Sequence, residues 1–126
     1  MLSHATYKLI HLGGIFLLIF GLGGVWALVT AASKQPRTAL HRLLMALHGA
    51  AMLVILVGGF GMMARLQISH QWPTWIWIKL VIWLLLAALP ALMRRRLGPA
   101  GLWLLLAPLL ATIAAYAAIF RIGQIP

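Results

Sequence analysis

The sequence contains no aspartate, no glutamate and no cysteine, and these absences exclude much of the chemistry that proteins perform. Without carboxylate side chains the chain cannot build a di-iron carboxylate site, an acidic proton relay or a carboxylate-paired general acid and base. Without cysteine it cannot form disulfides, thiolate metal sites or thioether-linked haem. Its lysines and arginines have no acidic side chain to pair with, so a bound anion, a lipid phosphate or a partner protein must supply the counter-ion.

The residues that are present indicate a membrane protein. Of the 126 residues, 64% are hydrophobic, and the mean hydropathy is +1.05. A soluble domain of this size would have too little polar surface to face water, so we expect one integral membrane domain, residues 1–126. The ten Lys and Arg give a net charge of +10. They lie at the ends of apolar runs, where they contact anionic lipid head groups, and this distribution does not indicate nucleic-acid binding.

Four long apolar runs predict the fold. They cover approximately residues 7–32, 39–63, 72–93 and 101–120, and a transmembrane helix needs about 20 such residues. Only short polar stretches separate them. The sequence therefore predicts an all-α, four-helix transmembrane bundle with short loops and with both termini on the same side of the membrane.

The distribution of basic residues predicts the orientation of this bundle. The connections after the first and third spans contain six basic residues: Lys34, Arg37, Arg42, Arg94, Arg95 and Arg96. The opposite side contains four: Lys8, Arg65, Lys79 and Arg121. Because cytoplasmic loops are enriched in Lys and Arg, we expect the two basic connections in the cytoplasm and both termini outside, in a periplasmic or extracellular position.

The third span includes one full charge. At 100° per residue, the side chain of this residue, Lys79, shares a helix face with Trp72, Trp75, Trp83 and Leu86. An ammonium within a span costs about 2.5–3.5 kcal/mol on insertion scales, and the indole rings offer cation–π contact. Two interpretations remain open: a lysine that snorkels to an interfacial tryptophan belt, or a lysine that belongs to a ligand site.

Two of the five histidines lie well inside predicted spans, His11 in the first and His48 in the second. Histidine is the ordinary axial ligand of haem, and it also bonds to carbonyls of neighbouring helices, so both roles remain open. At 1.5 Å per residue the two differ by roughly 16 Å in depth, too much for two ligands of one iron. His11 lies at the depth of Lys79, which predicts one site in the outer half. His48 is then structural, part of a second site, or in contact with a porphyrin edge.

Small residues form two further faces that predict close helix packing. In the first span, Gly14 and Gly21 share a face with His11. This face also leaves room for a flat ligand. In the fourth span the face consists of four alanines: Ala107, Ala111, Ala114 and Ala118.

The same residues resemble those of known membrane proteins. The segment from Tyr7 to His11 (YKLIH) resembles the Lys-x-x-His start of small four-helix bacterial inner-membrane proteins: the SirB family, the HemJ-type protoporphyrinogen oxidases and the membrane part of CopD copper-resistance proteins. Residues 42–48 (RLLMALH) are similar to the second-span histidine segment of the SirB family. Residues 75–80 (WIWIKL) are similar to the third-span Trp-x-x-x-Lys-Leu of the SirB and HemJ groups.

The resemblance implies a location in the bacterial inner membrane and, from the HemJ group, a haem b site with His11 as metal ligand and Lys79 beside it. Such a protein would oxidise a porphyrin or pass electrons to a quinone, and whether it is an enzyme stays open. The alternative is a non-catalytic structural or accessory protein that packs against itself, as a homo-oligomer, or against a larger membrane complex. A transporter or channel ranks last, since no carboxylate or ion-filter motif is present.

Overall fold

The computed structural model describes residues 2–31, 39–68, 70–95 and 99–123, and within them the protein consists of helices and short turns, without strands. The helices are α1 (His4–Ala31), α2 (Ala39–Arg65), α3 (Thr74–Arg95) and α4 (Ala100–Ile119). This confirms the predicted four-helix bundle, and no helix end departs by more than three residues from the predicted span. The connections at 32–38 and 96–98, with Lys34, Arg37 and Arg96, lie outside the described residues.

Local interactions explain where α1 begins and where α4 ends. Helix α1 follows Ser3, whose Oγ accepts a hydrogen bond from the Thr6 N–H at 3.1 Å, as an N-cap residue does. After α4, the Ile122 N–H donates to the Ala117 carbonyl at 3.1 Å, and the Ile122 carbonyl accepts the Trp75 N–H, also at 3.1 Å. The end of α4 is therefore joined to the first turn of α3, where free backbone N–H groups need partners.

Glycines bring α1 and α2 into the closest contact in the bundle. A Cβ atom on Gly58 would lie 2.8 Å from the backbone nitrogen of His11, and one on Gly14 would lie 3.1 Å from the backbone nitrogen of Ile55. The two helix backbones thus touch, as small residues permit in membranes. Helix α1 also packs against α3 and α4, whereas α2 and α4, in their described residues, do not contact each other.

Most of the large side chains that are fully buried lie in the half of the bundle that contains the end of α1 and the start of α4, which we call the closed half. Here Leu22, Val25 and Met93 are fully buried, and Leu89 is 2% exposed. Trp26 of α1 packs beside Gly101 of α4. The opposite half, which contains the starts of α1 and α3 and the ends of α2 and α4, is called the cavity half.

Candidate functional site

A cavity of about 510 Å³ occupies the cavity half and is lined by all four helices. Its volume falls within the roughly 300–1,000 Å³ typical of small-molecule and cofactor sites. Most of its wall is aliphatic or aromatic. The polar side chains that line it are two histidines and three cations: His4, His11, Lys8, Lys79 and Arg121. An apolar cavity with a few polar groups is the usual form of a ligand site.

His11 is held in one orientation by the neighbouring helix. Its side chain is 8% exposed, and its Nδ1 lies 2.7 Å from the carbonyl oxygen of Ile55. Because a carbonyl only accepts, Nδ1 bears the proton and donates it, and Nε2 keeps its lone pair. Nε2 makes no hydrogen bond to any described residue and remains accessible in a ring that lines the cavity. Histidine ligands of metals show the same arrangement, with one nitrogen on a carbonyl and the other free.

Lys79 lines the same cavity, so the structure brings the two predicted outer-half residues together. Its Nζ lies 5.8 Å from the centroid of the Trp75 ring, within the range of a cation–π contact. Lys79 is half-buried, and the chain contains no Asp or Glu to neutralise it.

The predicted tryptophan face on α3 is present in part. Trp75, Trp83 and Leu86 line the cavity on the same side of α3 as Lys79. Trp72 was wrongly placed on this helical face, since α3 begins only at Thr74. Its ring instead makes tilted contacts with the rings of Trp77 and Phe60, with centroid separations of 5.1 and 5.8 Å. Trp72 therefore contacts side chains of both α3 and α2.

Two further cations, Lys8 and Arg121, stand at the rim of the cavity, and both are exposed. Arg121 adopts a left-handed backbone conformation with a φ of 47°, in the turn that follows α4 and is hydrogen-bonded to the start of α3. His4, a half-buried side chain, also lines the cavity. The rim thus presents positive charge where the cavity meets the end of the bundle.

The alanine face of α4 packs against the core at three of its four positions and also lines the cavity. Ala107 is fully buried in the closed half, and Ala114 and Ala118 pack against the buried hydrophobic clusters of the bundle. Ala111, Ala114 and Ala118 are half-buried and form cavity wall. Because α2 lies across the bundle from α4 without contacting it, these short side chains leave space open there.

The structure does not bring His48 to this cavity. Its side chain is 5% exposed, and neither ring nitrogen has a hydrogen-bond partner. Ile55 and Gly58, which contact His11, stand seven and ten residues beyond His48, about 10–15 Å along the helix axis.

The set of donors suits a ligand that brings most of its own coordination. Among the described residues, no group of three or more metal-ligating side chains comes together. Of the two histidines that line the cavity, His11 has its ring orientation fixed by a carbonyl, so that Nε2 keeps its lone pair. A bare metal ion would need further protein ligands. A tetrapyrrole supplies four nitrogen ligands to its metal, which then needs only axial ligands from the protein. The residues present therefore fit a haem.

Four helices that are long and apolar enough to cross a membrane define this chain as an integral, multi-pass membrane protein. Comparison with known proteins finds no matching family model, no matching curated protein and no matching solved structure.

Proposed function

We propose that this protein binds haem b, or a related porphyrin, in its cavity, with His11 as the axial ligand. One observation carries the proposal: the 2.7 Å hydrogen bond from Nδ1 to the Ile55 carbonyl, which leaves Nε2 free in a ring that lines the cavity. The carbonyl fixes the tautomer and the ring orientation, so the lone pair is available without a change of rotamer.

The cations around the cavity support the same ligand. Lys8 and Arg121 at the rim, and Lys79 inside, would pair with the propionate carboxylates of a tetrapyrrole, since no acidic side chain competes for them. Bound haem would supply one-electron chemistry. The protein's own residues would orient it and exclude water. The resemblance to the SirB and HemJ proteins supports oxidation of a porphyrin, or electron transfer to a quinone, as the reaction.

An absorption spectrum of the detergent-purified protein tests the proposal. Protein from haem-replete cells should show a Soret band with haem at up to one per chain, and His11→Ala should remove it. His48→Ala is the matched control, because it removes a histidine that is equally buried but outside the cavity. A folded wild-type protein without a Soret band would refute the proposal. A band that is lost only in His48→Ala would move the ligand to the closed half.

The role of Lys79 is tested by Lys79→Met, which removes the charge and keeps the apolar stem. If the ammonium pairs with a ligand carboxylate, the variant should retain much less chromophore while melting at a temperature near that of wild type. Lys79→Arg should retain more, because it preserves the charge. A Lys79→Met protein with full chromophore content and an equal or higher melting temperature would show that the lysine only snorkels.

We also propose that the protein resides in the bacterial inner membrane, with both termini on the periplasmic or extracellular side, as the charge distribution favours. Reporter fusions at Gly123, the last described residue, should be active only when the reporter works outside the cytoplasm. Activity confined to a cytoplasmic reporter would reverse the orientation and place the rim of the cavity on the cytoplasmic side.

A second function, as a structural or accessory protein, is favoured by one feature of α4. In its 18-residue membrane window only 11% of residues are buried, against 28–33% in the other three helices. Helix α4 therefore presents the most surface to a second copy or to a larger complex. Cross-linking in native membranes tests this: a colourless protein that cross-links through α4 would favour the accessory function.

A further inference from the structure

Two of the four seams between neighbouring helices are closed in the cavity half. The seam between α1 and α2 is closed by backbone contact at Gly58 and Gly14. The seam between α2 and α3 is covered only in part, by the tilted rings of Phe60, Trp72 and Trp77, and no cation stands at the rim beside it among the described cavity-lining residues. The seam between α3 and α4 is closed by the hydrogen bond between Trp75 and Ile122.

The fourth seam, between α1 and α4, differs along its length. In the closed half the two helices pack together through Trp26 and Gly101. In the cavity half the wall residues of this seam are exposed: Leu12 is 39% exposed and Ile119 is 74% exposed, and Ala115 is exposed as well. A side chain that both lines a cavity and is exposed borders an opening. We call this opening the α1–α4 slit.

The edges of the slit are apolar, and its outer end is positively charged. Leu12, Ala115 and Ile119 would contact lipid tails, whereas Lys8 and Arg121 stand at the end of the bundle, where head groups lie. An amphiphile that moves through the slit can therefore keep an anionic head beside cations while its apolar body enters the cavity.

The innermost cation limits the charge of that head. Lys79 is a single ammonium among apolar side chains, and it matches the single charge of a carboxylate. A phosphate monoester, with about 1.5–2 negative charges, would bring more charge than one ammonium neutralises.

We propose that the cavity is filled from the bilayer, through the α1–α4 slit, by an amphiphile with an apolar body and a carboxylate head that pairs with Lys79. The inference rests on the proposed function for the choice of cavity, and it adds the route and the chemical class of the ligand. A porphyrin propionate belongs to this class, and so does a long-chain fatty acid.

Access through the slit is tested by cysteine labelling, because the chain has no native cysteine. Ala114→Cys places one thiol on the cavity wall. In proteoliposomes it should react with a membrane-dissolved N-alkylmaleimide at least tenfold faster than with a sulfonated, water-soluble maleimide. Adding Ala115→Trp or Leu12→Trp, from opposite edges of the slit, should slow the lipid-phase reaction at least fivefold. Ala50→Trp, an exposed position on α2 away from the cavity, should not.

Equal or faster labelling from water would overturn the route. Unchanged labelling in both tryptophan variants would also overturn it, provided that these variants melt like the Ala114→Cys parent.

The ligand class is tested by protection of the same thiol. Oleate should slow labelling at least fivefold and methyl oleate should not. Protection should disappear in Lys79→Met and persist in Arg94→Met, which removes the same charge from an exposed site.

Equal protection by the ester, or full protection in Lys79→Met, would overturn the carboxylate assignment. All labelling is measured on protein without a Soret band. A protein that never binds haem therefore still gives a result here, and a failure of the slit leaves the haem test unaffected.

Discussion

The two halves of the bundle use the same four helices in opposite ways. In the closed half, side chains such as Leu22 and Val25 fill the centre completely, and His48 is enclosed without a hydrogen-bond partner. In the cavity half, alanines on α4 leave a volume of about 510 Å³, and His11 lines it with one nitrogen bonded and the other free. The two buried histidines therefore differ in ring orientation and in the space beside them, and not in burial.

The largest expected effect comes from Gly58→Ala, because it would force apart the contact that positions His11. The new Cβ would lie 2.8 Å from the His11 backbone nitrogen, so only a shift of a helix can relieve it. We expect a loss of about 2–3 kcal/mol, at the upper end for overpacking, together with loss of bound chromophore. Thermal melting in detergent and the absorption spectrum measure both.

Two other glycine substitutions calibrate this result. A Cβ on Gly24, in the closed half, would lie 2.8 Å from the Cδ2 atom of Leu44, a flexible side chain that can move, so Gly24→Ala should cost less. A Cβ on Gly49 would have no neighbouring atom within 4 Å, so Gly49→Ala should not lower the stability. A Gly58→Ala protein as stable as Gly49→Ala would contradict the close contact between α1 and α2.

The next largest effect is expected from His48→Leu. The histidine buries two unpaired ring nitrogens, and replacing an unsatisfied polar group by an apolar one removes its desolvation cost. We expect the melting temperature to rise, by an amount equivalent to about 1–2 kcal/mol, with the chromophore unchanged. His11→Leu should lower both. A destabilised His48→Leu protein would show that the imidazole has a partner, such as a bound ligand.

A smaller effect is expected from Trp83→Phe. Trp83 Nε1 donates to the Met52 carbonyl at 3.0 Å, the bond that links α3 to α2 between the two halves. Its loss should cost about 0.5–1.5 kcal/mol, since the carbonyl belongs to a helix and keeps its helical bond. Trp77→Phe, at a residue that is 56% exposed, is the control. Equal melting temperatures for the two variants would mean that this bond contributes nothing.

The smallest effect is expected from Ser3→Ala, which removes the N-cap of α1 at the edge of the cavity half. The loss should be about 0.5–1 kcal/mol, as for other serine caps. Faster amide hydrogen exchange should appear at Thr6 and Tyr7 and nowhere in the closed half. Exchange that increases along all of α1 would show that the cap stabilises the whole helix.

Most of the candidate site was predicted from the sequence, and the exceptions have physical causes. His11 and Lys79 were placed at one depth because helix rise per residue is constant, and they do share a cavity. Trp72 was misplaced because apolar composition does not reveal that the helix starts two residues later. The cavity beside the alanines of α4 was not predicted, because the spacing of small residues is the same whether or not space is left next to them.

Composition and hydrophobic run length determined the class, the number of helices and their approximate ends. A segment of about 20 apolar residues in a bilayer has to satisfy its backbone hydrogen bonds internally, whatever surrounds it. Only the tertiary structure decided which seams close, where the cavity lies, and which histidine beside it is oriented by a neighbouring helix. Those outcomes depend on contacts between residues far apart in the chain, such as His11 with Ile55, and a pattern within one helix does not specify them.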